Sequence, residues 1–164
     1  MNETQLTFEE ISIKNCAFTG HRDLEESFSF EKLQKTVLDL AKKGVEKFFC
    51  GMAKGFDLYA AEAVLKAKES YPNIKLIACV PFYGQEKSYL KEDKERYVQI
   101  LKNCDVKFTF AERYYKGCTI NRDKYMADNA DVMVAYLKKE KGGTAYTVGY
   151  FKKKYPQKEI IFLD

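Results

Sequence analysis

Apolar runs of strand length alternate with helix-periodic segments along almost the whole chain. Residues 11–20 (ISIKNCAFTG), 45–51 (VEKFFCG), 74–81 (IKLIACVP), 106–112 (VKFTFAE), 131–137 (DVMVAYL) and 158–163 (KEIIFL) read as strands. Between them, residues 31–44, 57–72, 86–104, 119–130 and 144–156 read as helices. In the first of these, Leu33, Val37, Leu38, Leu40 and Ala41 recur at helical spacing and Gly44 closes the segment. In the third, Leu90, Tyr97 and Leu101 mark the inward stripe. Strict alternation of this kind predicts a mostly parallel sheet of about six strands with helices on both faces. Unbroken apolar runs such as LIACV and VMVAYL suit strands covered on both sides. The expectation is an α/β chain with a single Rossmann-like domain over residues 1–164.

Composition narrows the function classes. The chain has 164 residues, enough to bury roughly 70% of its unfolded surface without a staple. Its five cysteines show no C-x-x-C pair, and Cys16, Cys50 and Cys79 lie in apolar runs, where a thiol packs as a small hydrophobe. This usage points to a reducing, cytoplasmic setting. A lone histidine, His21, argues against a zinc or dimetal site, so no metal is expected. The first residues lack the apolar stretch of a secretory leader, and no apolar run is long enough to span a membrane. A net charge of +4 permits an anionic ligand without demanding nucleic acid.

In a parallel sheet, ligands lie beyond the carboxyl ends of the strands, so the strand–helix junctions are where binding residues belong. The first junction, FTGHRD, carries Gly20, His21 and Arg22, and an arginine there can pair with a phosphate or carboxylate. The second, CGMAKGFDLYAAE, holds Gly51 and Gly55 around a tight loop, followed by Asp57 at a helix-capping position. The glycines there call for close backbone approach to something. The third, VPFYGQE, offers Gln85 to a base or sugar. In the fourth, AERYYKGCTINRDKYM, Tyr114 and Tyr115 offer rings and Asn121 and Arg122 open a helix; Cys118 has no histidine partner and reads as inert. The fifth is LKKEKGGTAYT. Gly142, Gly143 and Thr144 fall between a buried strand and a helix, where free N–H groups can hold a phosphate and Thr144 can cap the helix. Neither G-x-x-x-x-G-K-[ST] nor G-x-G-x-x-G occurs, which excludes the ordinary ATPase and dinucleotide-dehydrogenase signatures.

The ordered set FTGHR, GMAKGFDLYAAE, PFYGQ, NRDKYMADNAD and GGTAYT, over positions 18–147, resembles the SLOG superfamily, which includes the DprA/SMF and LOG proteins. It is most similar to the small, bacterial YpsA-like group. The resemblance implies a Rossmann-like fold and a nucleotide-derived phosphate ligand over the strand ends, with no required cofactor. It makes a homo-oligomer an expected assembly. In the LOG branch an Arg from an RK helix motif and a Glu after PGGxGTxxE release ribose phosphate from a nucleotide. Here Arg122 keeps the first, but Asp123 stands in the Lys position and Gly149 in the Glu position. No acidic residue occurs from Gly142 through Lys158. A positioned acid–base group contributes about 10²–10⁴-fold to rate. Asp57 and Glu62 are the available substitutes.

Three functions follow in rank order. The first is cytosolic binding or sensing of a nucleotide, ADP-ribose or NAD-like small molecule through Gly20, His21, Arg22, Gly51, Gly55, Asp57, Gln85, Asn121, Arg122, Gly142, Gly143 and Thr144. The second is a LOG-type nucleoside-monophosphate N-glycosidase, with Arg122 and Asp57 as candidate catalytic residues. The third is DprA-like single-strand binding. It ranks last because KKEK and FKKKYPQK read as solvated flanks.

Overall fold

Residues 12–164 are described by a computed structural model. The N-terminal stretch and the expected start of the first strand at Ile11 lie outside them. Among the described residues, six strands form one sheet in the order β4-β3-β2-β1-β5-β6, every neighbouring pair parallel. They are β1 (Asn15–Gly20), β2 (Lys47–Cys50), β3 (Lys75–Val80), β4 (Val106–Thr109), β5 (Val132–Tyr136) and β6 (Glu159–Phe162). The intervening helices are α1 (Phe30–Lys42), α2 (Phe56–Ala67), α3 (Lys91–Asn103), α4 (Cys118–Asn129) and α5 (Gly143–Lys154). This is the expected Rossmann-like α/β architecture.

The two-residue period of the strands divides the core. Cys16, Phe18, Phe48, Cys50, Leu76, Ala78, Val134 and Tyr136 point to the face packed by α1, α2 and α3. Ala17, Phe49, Ile77, Cys79, Met133 and Ala135 point to the face packed by α4 and α5. Full burial of each large side chain contributes about 1.5–3 kcal/mol. Two stacked aromatic pairs, Phe18 with Phe48 and Phe56 with Tyr136, reinforce the first face. The chain leaves β1 toward β2, β3 and β4, then returns to β1's other side for β5 and β6. Helices after β1 and β5 therefore lie on opposite faces, and their carboxyl ends open a crevice.

Local signals set the helix ends. Ser29 Oγ accepts the Lys32 N–H at 3.2 Å and starts α1. Gly44, at φ +111°, ends it: the Gly44 N–H donates to Ala41 O and the Val45 N–H to Leu40 O. Other expectations need correction. The helix expected over 86–104 is a 3₁₀ turn, Gln85–Ser88, followed by α3, with extended backbone at Tyr89 and Leu90 between them. Leu90 is consequently 80% exposed rather than inward, while Tyr97 and Ile100 carry the buried stripe. Asp57 and Thr144 are not N-caps. Gly55 and Gly142 take those positions, placing both side chains one residue inside their helices.

Candidate functional site

A cleft of about 380 Å³ opens between the carboxyl ends of β1 and β5. It gathers four junctions: Gly20, His21 and Arg22 after β1, Ala53 and Asp57 around the start of α2, Thr119, Arg122 and Asp123 on α4, and Lys139, Lys141, Gly142, Gly143 and Thr144 after β5.

Its floor is an ion cluster. Arg122 is only 4% exposed. Its Nε donates to Asp123 Oδ1 at 2.6 Å, and Nη1 donates to the carbonyls of Gly51 and Cys79, the latter at 3.1 Å. Burial opposes the guanidinium charge, but Asp123 and Asp57 outweigh it, so Arg122 stays cationic. Asp57 Oδ2 accepts the Ala53 N–H at 3.2 Å. Burial pushes the Asp57 carboxyl up to about 7, against the pull of Arg122 and with the repulsion of Asp123. One arginine thus faces two carboxylates, one of which holds its proton near neutrality.

Beside this floor lies the start of α5. Gly142 is at φ +104°. The first intrahelical bond runs from the Tyr146 N–H to Gly142 O, so the N–H groups of Gly143, Thr144 and Ala145 lie ahead of the helical ladder. The Thr147 hydroxyl sits 2.8 Å from Gly143 O and 3.3 Å from Asp123 Oδ2, linking this turn to the ion cluster. In the loop that leads into α5, the Lys138 N–H at 2.8 Å and the Lys139 N–H at 3.2 Å donate to His21 Nε2. Burial and Lys139 hold the imidazole below its ordinary range, with Glu25 opposing. Arg22, Lys139 and Lys141 add exposed cations at the mouth. The helix terminus and these cations favour an anion, while Asp57 and Asp123 offer acceptors for hydroxyl groups.

Of the expected site residues, Gly20, His21, Arg22, Asp57, Arg122, Gly142, Gly143 and Thr144 come together here. Gly51, Gly55, Gln85 and Asn121 do not line the cleft. A Cβ on Gly51 would lie 2.7 Å from Arg122 Nη1, and one on Gly55, at φ +82°, would lie 2.2 Å from Arg22 O. These glycines admit the protein's own groups. Gln85 is buried and donates to Gly51 O at 3.3 Å. Asn121 is exposed and donates to the Tyr115 hydroxyl at 3.0 Å. Glu62 pairs with Arg96 at 2.6 Å and is absent from the cleft lining, whereas Asp57 is part of it. Sequence reasoning missed Asp123, Lys139 and Lys141 as cleft residues. Adjacency to Arg122 and to Gly142 was the available signal. Met52, a buried non-glycine residue at φ +65°, carries no sequence signal.

The sequence model described as the YspA SLOG family matches residues 16–163. A UPF0398 protein of Halalkalibacterium halodurans is 30% identical over 141 residues, covering 84% of this chain and 74% of the relative. The UPF0398 protein YpsA of Bacillus subtilis is 27% identical over 159 residues, 88% of each chain. Among solved structures, DprA of Streptococcus pneumoniae superposes with a TM-score of 0.67 at 17% identity, over 94% of this chain. This chain spans 51% of that one, about half its length. DprA of Helicobacter pylori, whose structure addresses its single-stranded DNA binding, gives 0.68 at 20% identity over 99% of this chain and 69% of its own. At those identities the two structures speak to fold alone. The profile match spans nearly the whole described chain, and this protein belongs to the YpsA family of SLOG proteins.

Proposed function

We propose that this chain binds a nucleotide or a nucleotide-derived phosphate compound, such as ADP-ribose or an NAD-like molecule, in the β1–β5 cleft. The observation that carries this is the meeting in one cleft of the free α5 amides, the cations Arg22, Lys139 and Lys141, and the Asp57–Arg122–Asp123 floor. The phosphate sits on the Gly143 and Thr144 N–H groups, and Asp57 or Asp123 accepts from a ribose hydroxyl. A cytosolic location accords with five free cysteines and with the absence, among the described residues, of any helix long and apolar enough to cross a membrane. Thermal shift against nucleoside mono-, di- and triphosphates, ADP-ribose and NAD tests the proposal. A ligand at about 1,000 times its Kd stabilises by about 4 kcal/mol. No shift with any member at saturation sinks it.

A second function, hydrolysis of a nucleoside monophosphate at its N-glycosidic bond, is favoured by one feature. Asp57 holds a proton near neutrality inside the cleft. There it protonates the departing base as the C1′–N bond breaks; water adds to C1′, and the proton that water sheds returns to the Asp57 carboxylate, leaving ribose 5-phosphate. Incubation with AMP checks this: free adenine appears with the natural chain and is lost in Asp57→Asn. Single-strand binding, the property for which the Helicobacter DprA is described, ranks third for this chain. A salt titration with oligonucleotides tests it.

A further inference from the structure

His21 is the first residue beyond β1, and its ring is held in place before any ligand arrives. The Phe56 N–H donates to its carbonyl at 3.1 Å, and the ring meets Tyr136 edge-on at 6.1 Å between centroids. Its Nε2 is the acceptor for two consecutive backbone donors, Lys138 and Lys139. Only a neutral imidazole protonated at Nδ1 has a lone pair on Nε2 to accept them. A proton on Nε2 turns the acceptor into a donor aimed at two N–H groups, with the Lys139 ammonium nearby. The segment so held is the loop after β5. It carries Lys139 and Lys141 into the cleft and delivers Gly142 and Gly143 to the start of α5.

We propose that His21 is a positioning residue: as neutral imidazole it fastens the basic loop after β5 into its anion-binding arrangement, and protonation releases that loop and weakens anion binding. The proposal rests on the phosphate-binding function given above and adds its regulation. The imidazole is faced by Lys138 and Lys139 from the β5 loop, by Glu25 from its own loop and by Tyr136 from β5. Burial and Lys139 disfavour its proton and Glu25 favours it, so release occurs on the acid side of the ordinary histidine range. Asp57 acts in the opposite sense. Its protonation as pH falls through about 7 removes negative charge from the cleft and tightens an anion.

Sulfate is the probe, because it keeps its charge where phosphate titrates. Its affinity is read from the amide signals of Gly143 and Thr144 in the full chain. The comparison is among the natural protein, His21→Gln and His21→Ala from about pH 8 to about pH 5. Gln places a non-titrating oxygen near the Nε2 position. Relative to His21→Gln, which shares the Asp57 effect, natural-protein affinity is expected to fall about tenfold on acidification as two hydrogen bonds are lost. Protection of the Lys138 and Lys139 amides falls with it. His21→Ala binds weakly throughout, and His21→Gln rescues binding without the fall. Parallel pH profiles for the natural protein and His21→Gln overturn the inference, with sulfate binding still intact. A relative rise on acidification overturns it too, and marks His21 as a direct cationic contact. No sulfate-dependent shift in any protein at any pH overturns the anion site itself and this inference with it.

Discussion

Gly51 and Gly143 both stand at strand–helix junctions, yet they answer to different neighbours. A Cβ on Gly51 would come within 2.7 Å of Arg122 Nη1 and 2.9 Å of Asp57 Oδ2. Arg122 is locked by three bonds and has nowhere to retreat. Gly51→Ala is therefore expected to cost about 1–3 kcal/mol of stability in urea unfolding. Gly143 has open space around its Cβ position and no positive φ. Gly143→Ala is expected to leave stability unchanged or raise it by up to about 1 kcal/mol. Equal losses at the two positions would contradict this account of the second junction. The sequence marked both sites, since glycine near a strand end signals close approach. It did not say to what. The group that fills the space at Gly51 comes from Arg122, 71 positions away, and pairing over that distance leaves no local pattern.

Strand and helix order was legible because each segment repeats its own apolar period, and the alternation of Phe48 and Phe49 between the two cores preserves that signal. Segment ends were less legible. Asp57 and Thr144 looked like caps because their side chains suit that role, but Gly55 and Gly142 reach positive φ more easily and take it. Residues 86–104 read as one helix because the charged pattern runs through the break. The break comes from Tyr89, whose hydroxyl donates to Met52 O at 2.9 Å and ties that segment to the loop after β2. Leu90 is left outside. Leu90→Ala is expected to shift stability by no more than about 0.5 kcal/mol. Tyr97→Ala, removing a ring from beneath α3, is expected to cost about 3 kcal/mol or more. Denaturant titration of the two variants checks the boundary. A large loss at Leu90 would restore the continuous helix.

The assembled fold sets proton affinities that no single element fixes. Asp57 is desolvated by the packing of α2 against the sheet and the ion cluster, and its folded-state value rises to about 7. Between about pH 4 and that value the native state holds a proton that the unfolded chain has released. Stability from this group is therefore greatest at the acid end and is lost as pH rises through about 7. Asp105, bonded by Lys68 and the Leu76 N–H, and Asp128, bonded by Tyr155, Lys154 and Tyr150, are shifted downward. Their contributions change below the ordinary carboxylate range and do not overlap this window. His21 overlaps this window below the ordinary histidine value of about 6.5, with opposite slope, because the unfolded imidazole takes up a proton before the folded one. Asp57→Asn isolates the carboxyl, since the amide oxygen still accepts from Ala53 and His21 is untouched. Comparing unfolding free energies at about pH 5 and about pH 8, the natural chain should lose stability relative to the variant by a few kcal/mol. A difference that stays constant with pH would place the Asp57 proton affinity near that of the unfolded chain. It would then remove the carboxyl that the hydrolytic alternative requires to be protonated at neutral pH.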